Sequence, residues 1–195
     1  MTNQFSMPLL PALKVLADWR TDQIVVTTMG SAREWPKLSQ HPCDFHYLPS
    51  AMGHAPMLGL GLAIAQPERE VVVLNGDGCM LMSLGCLVTI VASGAKNFTL
   101  VVLENGIYEV TGGQATSSAA SSPPVDFAAL ARAAGFTSVA MFDALDAWQR
   151  GAAATLALPG PRFAVLRVTP VGAAYHLPTM PPVTERLRSF REALT

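Results

Sequence analysis

The sequence predicts an α/β fold, a parallel six-stranded sheet with helices on both faces, formed by residues 1–195 as a single domain. Three observations predict it. Short β-type runs alternate with helical patterns along the chain. Two of those runs, VVVL at 71–74 and LVVL at 100–103, are continuously apolar, as strands covered on both faces are. A Gly-rich step at 76–78 joins one of these strands to a helical stretch, which is the form of a phosphate cradle.

In chain order, Pro8–Trp19 leads in as a helix, and the first strand is Ile24–Thr28 (IVVTT). Further strands are expected at Asp44–Leu48, Val71–Leu74, Thr99–Leu103, Thr137–Met141 and Phe163–Val168. Helices are expected between them at Ala51–Ala65, Met80–Ser93, Phe127–Ala134 and Ala144–Leu158, with Thr184–Leu194 closing the chain. The segment Thr111–Pro124 (TGGQATSSAASSPP) reads as a long mobile loop, and loops of that length are often functional. There is no internal repeat.

Composition bounds the function. Apolar residues make up 50% of the chain and charged residues only 14%, too few to coat a monomer comfortably. An obligate oligomer is expected, because large apolar patches mark partner surfaces. A net charge of −1 with scattered Lys and Arg leaves no electrostatic footprint for nucleic acid. Cys43, Cys79 and Cys86 are odd in number and lack metal-ligand spacing, so no disulfide framework is implied. The start of the sequence has no basic stretch ahead of its apolar one, and Cys79–Ala92 is too short to span a bilayer. These features fit a cytoplasmic protein that does not enter a membrane.

The stretch VVVLNGDGCMLM, residues 71–82, poses the functional question. Its Asn-Gly and Asp-Gly pairs are hairpin signals. A hairpin needs a second short strand, however, and CMLMSLGCLVTIVASGA is instead about four helical turns of apolar residues, stopped by Ser93-Gly94. Strand, loop and helix is therefore the reading. No Gly-Lys-Ser/Thr follows, and Gly-Asp-Gly lacks the Rossmann spacing. A carboxylate beside a phosphate repels it unless a cation lies between them. Asp77 is thus best explained as a ligand of a hard divalent metal that bridges to a diphosphate, as Mg²⁺ does. A second oxygen donor should come from a neighbouring strand end, where ligands of open α/β sheets collect. Asn105, in VVLENGIYEVTGGQ, stands 28 residues after Asp77, room for one helix and one strand. An isolated Asn-Gly would be a turn; at this interval from Gly-Asp-Gly that is the weaker reading.

Gly76-Asp77-Gly78 followed by Asn105 resembles the cofactor motif of thiamine-diphosphate enzymes. The resemblance covers most of the chain and is greatest to the sulfopyruvate and phosphonopyruvate decarboxylases. TTMGSARE, SAMGHAPMLGLGLA, GDGCMLMSLGCLVTI, ENGIYEVTGGQ and LPTMPPVTERLRSFREAL resemble blocks of that group in the same order. Two departures stand out: Glu104 replaces the first Asn of the family's pair, and Leu177-Pro178-Thr179 lies where an arginine is commoner.

The resemblance implies a thiamine-diphosphate-binding fold in which Asp77, the Asn105 side chain and the Ile107 carbonyl hold Mg²⁺. It implies that the N–H groups of Gly78 and Cys79 hold the diphosphate, with Cys79 a backbone donor rather than a nucleophile. Gly30 and Ser31 resemble the first-strand loop that also touches the diphosphate. Ala51, Met52 and Gly53 match the stretch under the centre of the cofactor, with Met52 as the apolar wedge between its rings; the alternative is a core Met at the start of a buried helix. Gly76 and Tyr108 complete the cofactor-facing set, Tyr108 by packing. His54 either faces the reacting carbon or caps its helix. Glu109 reads as a local hydrogen-bond partner rather than a catalytic acid. His41, His46 and His176 show no site spacing.

Thiamine chemistry also needs a Glu on the cofactor's pyrimidine, which the family carries on a separate pyrimidine-binding domain. The sequence offers no such domain. It resembles the small subunit of a split 2-oxoacid decarboxylase, with sulfopyruvate or phosphonopyruvate as the nearest substrate and a pyrimidine-domain chain as partner. The alternatives are a subunit of an acetolactate-synthase-like carboligase and a non-catalytic cofactor-binding regulatory subunit. A nicotinamide-binding protein is the weakest, since no Rossmann fingerprint is present.

Overall fold

The computed structural model describes residues 5–49, 51–172, 176 and 179–195. The chain begins with β1 (Met7–Pro8), α1 (Leu9–Trp19), β2 (Ile24–Thr27), α2 (Met29–Glu34), a 3₁₀ turn at Trp35–Lys37 and β3 (Asp44–His46). It continues through α3 (Ala55–Ala65), β4 (Val71–Gly76), α4 (Asp77–Leu81), α5 (Cys86–Ser93) and β5 (Phe98–Glu104). Next come β6 (Ile107–Tyr108), a 3₁₀ turn at Glu109–Thr111, β7 (Gln114–Ala115), α6 (Ser117–Ala120) and α7 (Phe127–Ala133). β8 (Ser138–Phe142), α8 (Leu145–Leu156), β9 (Arg162–Thr169) and α9 (Val183–Leu194) complete it.

The main sheet is parallel throughout, in the order β1-β9-β5-β4-β2-β3, with β8 also paired to β9. Alternate residues of its strands feed two cores. Val71, Val73, Leu100, Val102 and Phe163 face one side with residues of α3, α5, α7 and α9. Val72, Leu74, Val101, Leu103 and Leu166 face the other, with α1 and with Trp35 and Trp148. Burial on both faces is what makes VVVL and LVVL continuously apolar. The expected six strands are all present, within a residue or two at their ends. A seventh, β1, is only two residues long and occupies the edge of β9 beyond β8, with Met7 opposite Val168.

Three expectations are corrected. The helix expected over Met80–Ser93 starts at Asp77 and breaks at 82–85. There the chain runs through tight turns, Met82 N–H to Cys79 O at 3.2 Å and Cys86 N–H to Ser83 O at 2.9 Å. The helix expected from Ala51 starts at Ala55, because Gly53 has φ +85° and cannot be helical. The loop at Thr111–Pro124 is partly organised: β7 pairs antiparallel with β6, and Thr116 caps α6. Leu177 and Pro178, where the tail departs from the family pattern, and Ser50 of the PSAMGHA stretch lie outside the described residues.

α3 carries no charge and is apolar all round, so it presents Met57 and Ile64 to solvent while its other side packs on β4. Met82 and Leu84 in the turn and Val88 on α5 are likewise exposed. Among the described residues no helix is long and apolar enough to cross a membrane. The three cysteines are buried and unpaired.

α3 approaches β4 through Gly59, where an added Cβ would lie 2.2 Å from Val73 Cγ2 in the fully buried strand. Gly61, on the open side of the same helix, has nothing within 4 Å of that position. Urea titration should show Gly59→Ala destabilised by about 1–3 kcal/mol through overpacking. Gly61→Ala should instead gain about 0.5–1 kcal/mol, because alanine loses less backbone entropy in a helix. Equal shifts for the two would contradict the close approach at Gly59.

Candidate functional site

After β2 the chain crosses to β3 on one side of the sheet and returns to β4 on the other, so the strand order reverses between β2 and β4. Such a switch point leaves a crevice at the carboxyl ends of the strands. A cavity lies there, and it gathers Gly30 and Ser31 after β2, Gly76, Asp77, Gly78 and Cys79 after β4, Asn105, Ile107 and Tyr108 after β5, and Met52. These are ten of the twelve residues singled out from the sequence. Ala51 and Gly53 flank Met52 without lining the cavity.

Asp77 is the centre of the site. It is 2% exposed, and its Oδ2 accepts from Gly106 N–H at 3.0 Å and from Thr116 Oγ1 at 3.3 Å. The Gly106 contact places the residue next to Asn105 against the carboxylate. Gly106 has φ +76°, which is why the turn after Asn105 is Asn-Gly. Burial pushes Asp77 up to about 6; bonds from Gly78, Gly106 and Thr116 oppose that shift, and the charge of Glu104 adds to it. Among the described residues no cationic side chain pairs with Asp77. Asn105 Oδ1 accepts from Ile107 N–H at 3.0 Å, folding the start of β6 back over the strand end.

The loop after β2 is fixed by Ser31. Its hydroxyl lies 2.8 Å from Thr28 O and 2.9 Å from Leu74 O, and accepts from Thr28 N–H at 3.0 Å. This ties β2 to β4 across the switch point and engages the Ser31 hydroxyl with backbone groups of both strands' ends. Met29 begins α2 with φ +50°, a left-handed conformation that costs an L-residue energy and is held here by the capping box around Thr28. Gly78 is needed because the Tyr108 ring lies on it, with Cε1 2.5 Å from where a Cβ would stand. A Cβ at Gly53 would fall 2.8 Å from Ser83 Oγ, so the Met52 loop rests on the break between α4 and α5. Cys79 is buried, and burial raises its thiol pKa, which keeps it a thiol rather than a nucleophilic thiolate at neutral pH.

The other acidic residues near the cavity are engaged. Glu109 Oε1 accepts from Val171 N–H at 2.6 Å, and its Oε2 lies 3.7 Å from Arg33 Nη2. Glu104, opposite Arg167 in the sheet register, accepts from Arg167 Nε at 3.0 Å. His54 Nδ1 is 3.2 Å from Met52 O, and the residue does not line the cavity. His46 Nδ1 pairs with Thr27 Oγ1 at 2.8 Å, while His41 lies beside Arg20 near the start of β3. Among the described residues no three His, Cys, Asp or Glu could together hold a metal, so a cation at Asp77 would rely on amide, carbonyl and ligand oxygens.

Sequence reasoning missed Thr116, Thr28 and the apolar lining from Leu9, Leu103 and Val168. Thr116 lies in the Ser- and Gly-rich loop, where the one available signal was its place as cap of the short Ser117–Ala120 helix. Asn75, just beneath the Gly-Asp-Gly turn, was also passed over. It is fully buried, its Nδ2 reaches only Met80 Sδ at 4.0 Å, and its Oδ1 has no partner among the described residues.

Residues 25–168 match the family described as thiamine pyrophosphate enzyme, C-terminal TPP binding domain. The chain is 39% identical over 181 residues to a phosphonopyruvate decarboxylase of Streptomyces viridochromogenes, covering 91% of itself but 44% of that protein. It is 40% identical over 153 residues to the sulfopyruvate decarboxylase subunit beta of Methanothermobacter thermautotrophicus, covering 78% of itself and 77% of that subunit. The chain thus spans less than half the length of the first relative and most of the second. Among solved structures, a candidate thiamin diphosphate-dependent enzyme from Mycobacterium smegmatis matches with a TM-score of 0.71 at 23% identity, over 84% of this chain and 32% of that one. A 2-oxoglutarate:ferredoxin oxidoreductase from Magnetococcus marinus matches at 0.64 and 19%, over 83% and 60%. At these identities the structural matches speak for the fold alone.

With Asp77 raised from 3.8 to about 6, ionising it at pH 7.5 costs the folded chain up to about 3 kcal/mol relative to the unfolded one. That cost is absent at low pH and grows as pH rises from about 4 through 6. In metal-free buffer Asp77→Asn should therefore be more stable than the parent at pH 7.5, and the gain should vanish near pH 4. Urea midpoints across that range check this; a difference independent of pH would contradict it.

Proposed function

The chain belongs to the family of C-terminal TPP-binding domains of thiamine pyrophosphate enzymes, and from that premise we propose that it is the diphosphate- and Mg²⁺-binding subunit of a 2-oxoacid decarboxylase. Sulfopyruvate or phosphonopyruvate is the proposed substrate, supported by the relatives named for those acids. The observation that carries the reading is the buried Asp77 carboxylate at the switch point, uncompensated by any cation of the described chain.

The residues present fit the cofactor and its metal. Asp77, the Asn105 amide oxygen and the Ile107 carbonyl are hard oxygen donors suited to Mg²⁺, which keeps its remaining positions for phosphate and water. The amides of Gly78 and Cys79 lie in the first helical turn, where N–H groups have no backbone carbonyl partner within the helix. At Gly76 the space where a Cβ would project is empty to 4 Å. Met52 lines the same cavity and supplies the apolar contact expected beneath the cofactor's rings. When bound, thiamine diphosphate supplies the nucleophilic carbon and the electron sink for loss of CO₂. The chain's own part is to anchor the diphosphate through the metal, to hold the rings on Met52, and to cover the site with the segment containing Thr116.

A carboxylate for the cofactor's pyrimidine is missing from this set. Asp77 is committed to the metal, Glu109 to Val171 and Arg33, and Glu104 to Arg167. We place that Glu on a partner chain. The apolar residues exposed on α3, on α5 and in the turn between α4 and α5 offer such a partner a surface beside Met52 and Cys79.

Calorimetry should show thiamine diphosphate binding weakly to the chain, only with a divalent cation and not in excess chelator. Asp77→Ala should abolish that binding, while Cys79→Ser should leave it nearly unchanged. Equal affinity with and without chelator would contradict the metal bridge. Decarboxylation should require a pyrimidine-domain partner, and its loss without that partner should exceed the roughly 10²–10⁴-fold of a single acid–base group. Robust turnover by the chain alone would contradict the split-enzyme reading.

Limited proteolysis bears on the covering segment. Cleavage within Thr111–Pro124 should slow when cofactor and partner are added, as for a segment that closes over a site. Unchanged cleavage would make it a surface connection only.

A further inference from the structure

α9 packs against β3 at the edge of the sheet. Phe190 lies on Phe45 with ring centroids 4.9 Å apart, and Ala193 O accepts from Arg69 Nη1 at 3.1 Å. These contacts dock the apolar side and the end of the helix. One turn before Phe190, Arg186 does something different. Its Nη1 donates to His46 O at 2.6 Å, its Nη2 donates to Leu48 O, and its Nε donates to Pro181 O at 3.1 Å. All three acceptors are backbone carbonyls, so this guanidinium is used for its planar fork rather than to neutralise a carboxylate.

The two carbonyls gripped by the fork lie where β3 ends and the chain turns toward the cavity. On the sheet side that exit is fixed by Tyr47 N–H donating to Thr27 O at 2.9 Å, and by His46 Nδ1 against Thr27 Oγ1 at 2.8 Å. Past Met52, Gly53 lies close against Ser83 and Cys79 O, which holds the far end of the span. Met52 lines the cavity, whereas no residue of α9 does. Among the described residues the span is thus held at Leu48 and at Gly53, and Arg186 supplies the first hold from outside the site.

We propose that Arg186 is a positioning residue: by gripping the carbonyls of His46 and Leu48, the tail helix sets the span that presents Met52, and so tunes cofactor affinity without touching the cavity. The link to affinity rests on the proposed cofactor site; the grip itself does not.

The test compares three variants of the full chain by amide hydrogen exchange and by binding of thiamine diphosphate with Mg²⁺. Arg186→Met should speed exchange in residues 47–54 roughly tenfold while strand β4 stays protected. It should also weaken cofactor binding by about tenfold, the scale usual for loss of a supporting contact outside the ligand shell. Arg186→Lys, which keeps a donor but not the fork, should fall between parent and Arg186→Met in both readouts. Phe190→Ala loosens the helix without touching either carbonyl. It should lower the urea midpoint at least as much as Arg186→Met, yet change exchange in 47–54 and affinity less. Unchanged exchange in 47–54 on Arg186→Met would overturn the proposal, as would affinity losses that follow the urea midpoint across all three variants. If the parent chain itself fails to bind thiamine diphosphate, the functional reading fails, and the exchange data still decide whether Arg186 holds the span.

Discussion

A carboxylate buried at the end of a parallel strand is the constraint around which this chain is arranged. Asp77 stands at the carboxyl end of β4 with amides, a threonine hydroxyl and another acid for neighbours. Hydrogen bonds from Gly106 and Thr116 offset part of the desolvation cost, and they are also what draws the loop after β5 and the segment after β7 onto the site. The nearby Glu104 would aggravate the charge if it were free. Its pairing with Arg167 across the β5–β9 register confines that effect. What remains is a buried carboxylate, and the proposed divalent cation would favour the form of Asp77 that burial disfavours.

The sheet makes this placement possible. Its order reverses between β2 and β4, so two loops that cannot pair with one another part at the cavity mouth. Ser31 bridges them below, and Gly78 lets Tyr108 lie flat on the start of α4. The cost of a fully covered parallel sheet is a large apolar inventory. On α3 that inventory leaves Met57 in solvent beside the Met52 loop and Ile64 in solvent near the helix's far end. Site and part of the exposed apolar surface are thus neighbours for a topological reason.

Much of this was legible in the sequence, for identifiable reasons. The strands announced themselves because burial on two faces forces apolar runs. Asp77 stood out because a carboxylate in what reads as a phosphate cradle calls for a cation, and Asn105 because it stands 28 residues on at the next strand end. What stayed hidden depends on contacts distant in sequence. Thr116 reaches Asp77 across 39 residues, and its surroundings differ in no way from ordinary loop composition. The break at 82–85 (Met-Ser-Leu-Gly) interrupts an apolar run with only a lone Ser and Gly, and it sits where Gly53 packs against Met82 and Ser83. β1 is too short to carry a pattern, and the grip of Arg186 on β3 spans 140 residues.

The central claim, that the Asp77 charge awaits a cation, is tested most directly by ¹³C NMR of the aspartate carboxyl carbons, with the Asp77 signal assigned by its loss in Asp77→Asn. In metal-free buffer the signal should titrate at about 6. With Mg²⁺ and thiamine diphosphate the midpoint should fall below that of an ordinary aspartate, about 4. A midpoint near 4 in the free chain, or one that does not move when metal and cofactor are added, would contradict the account.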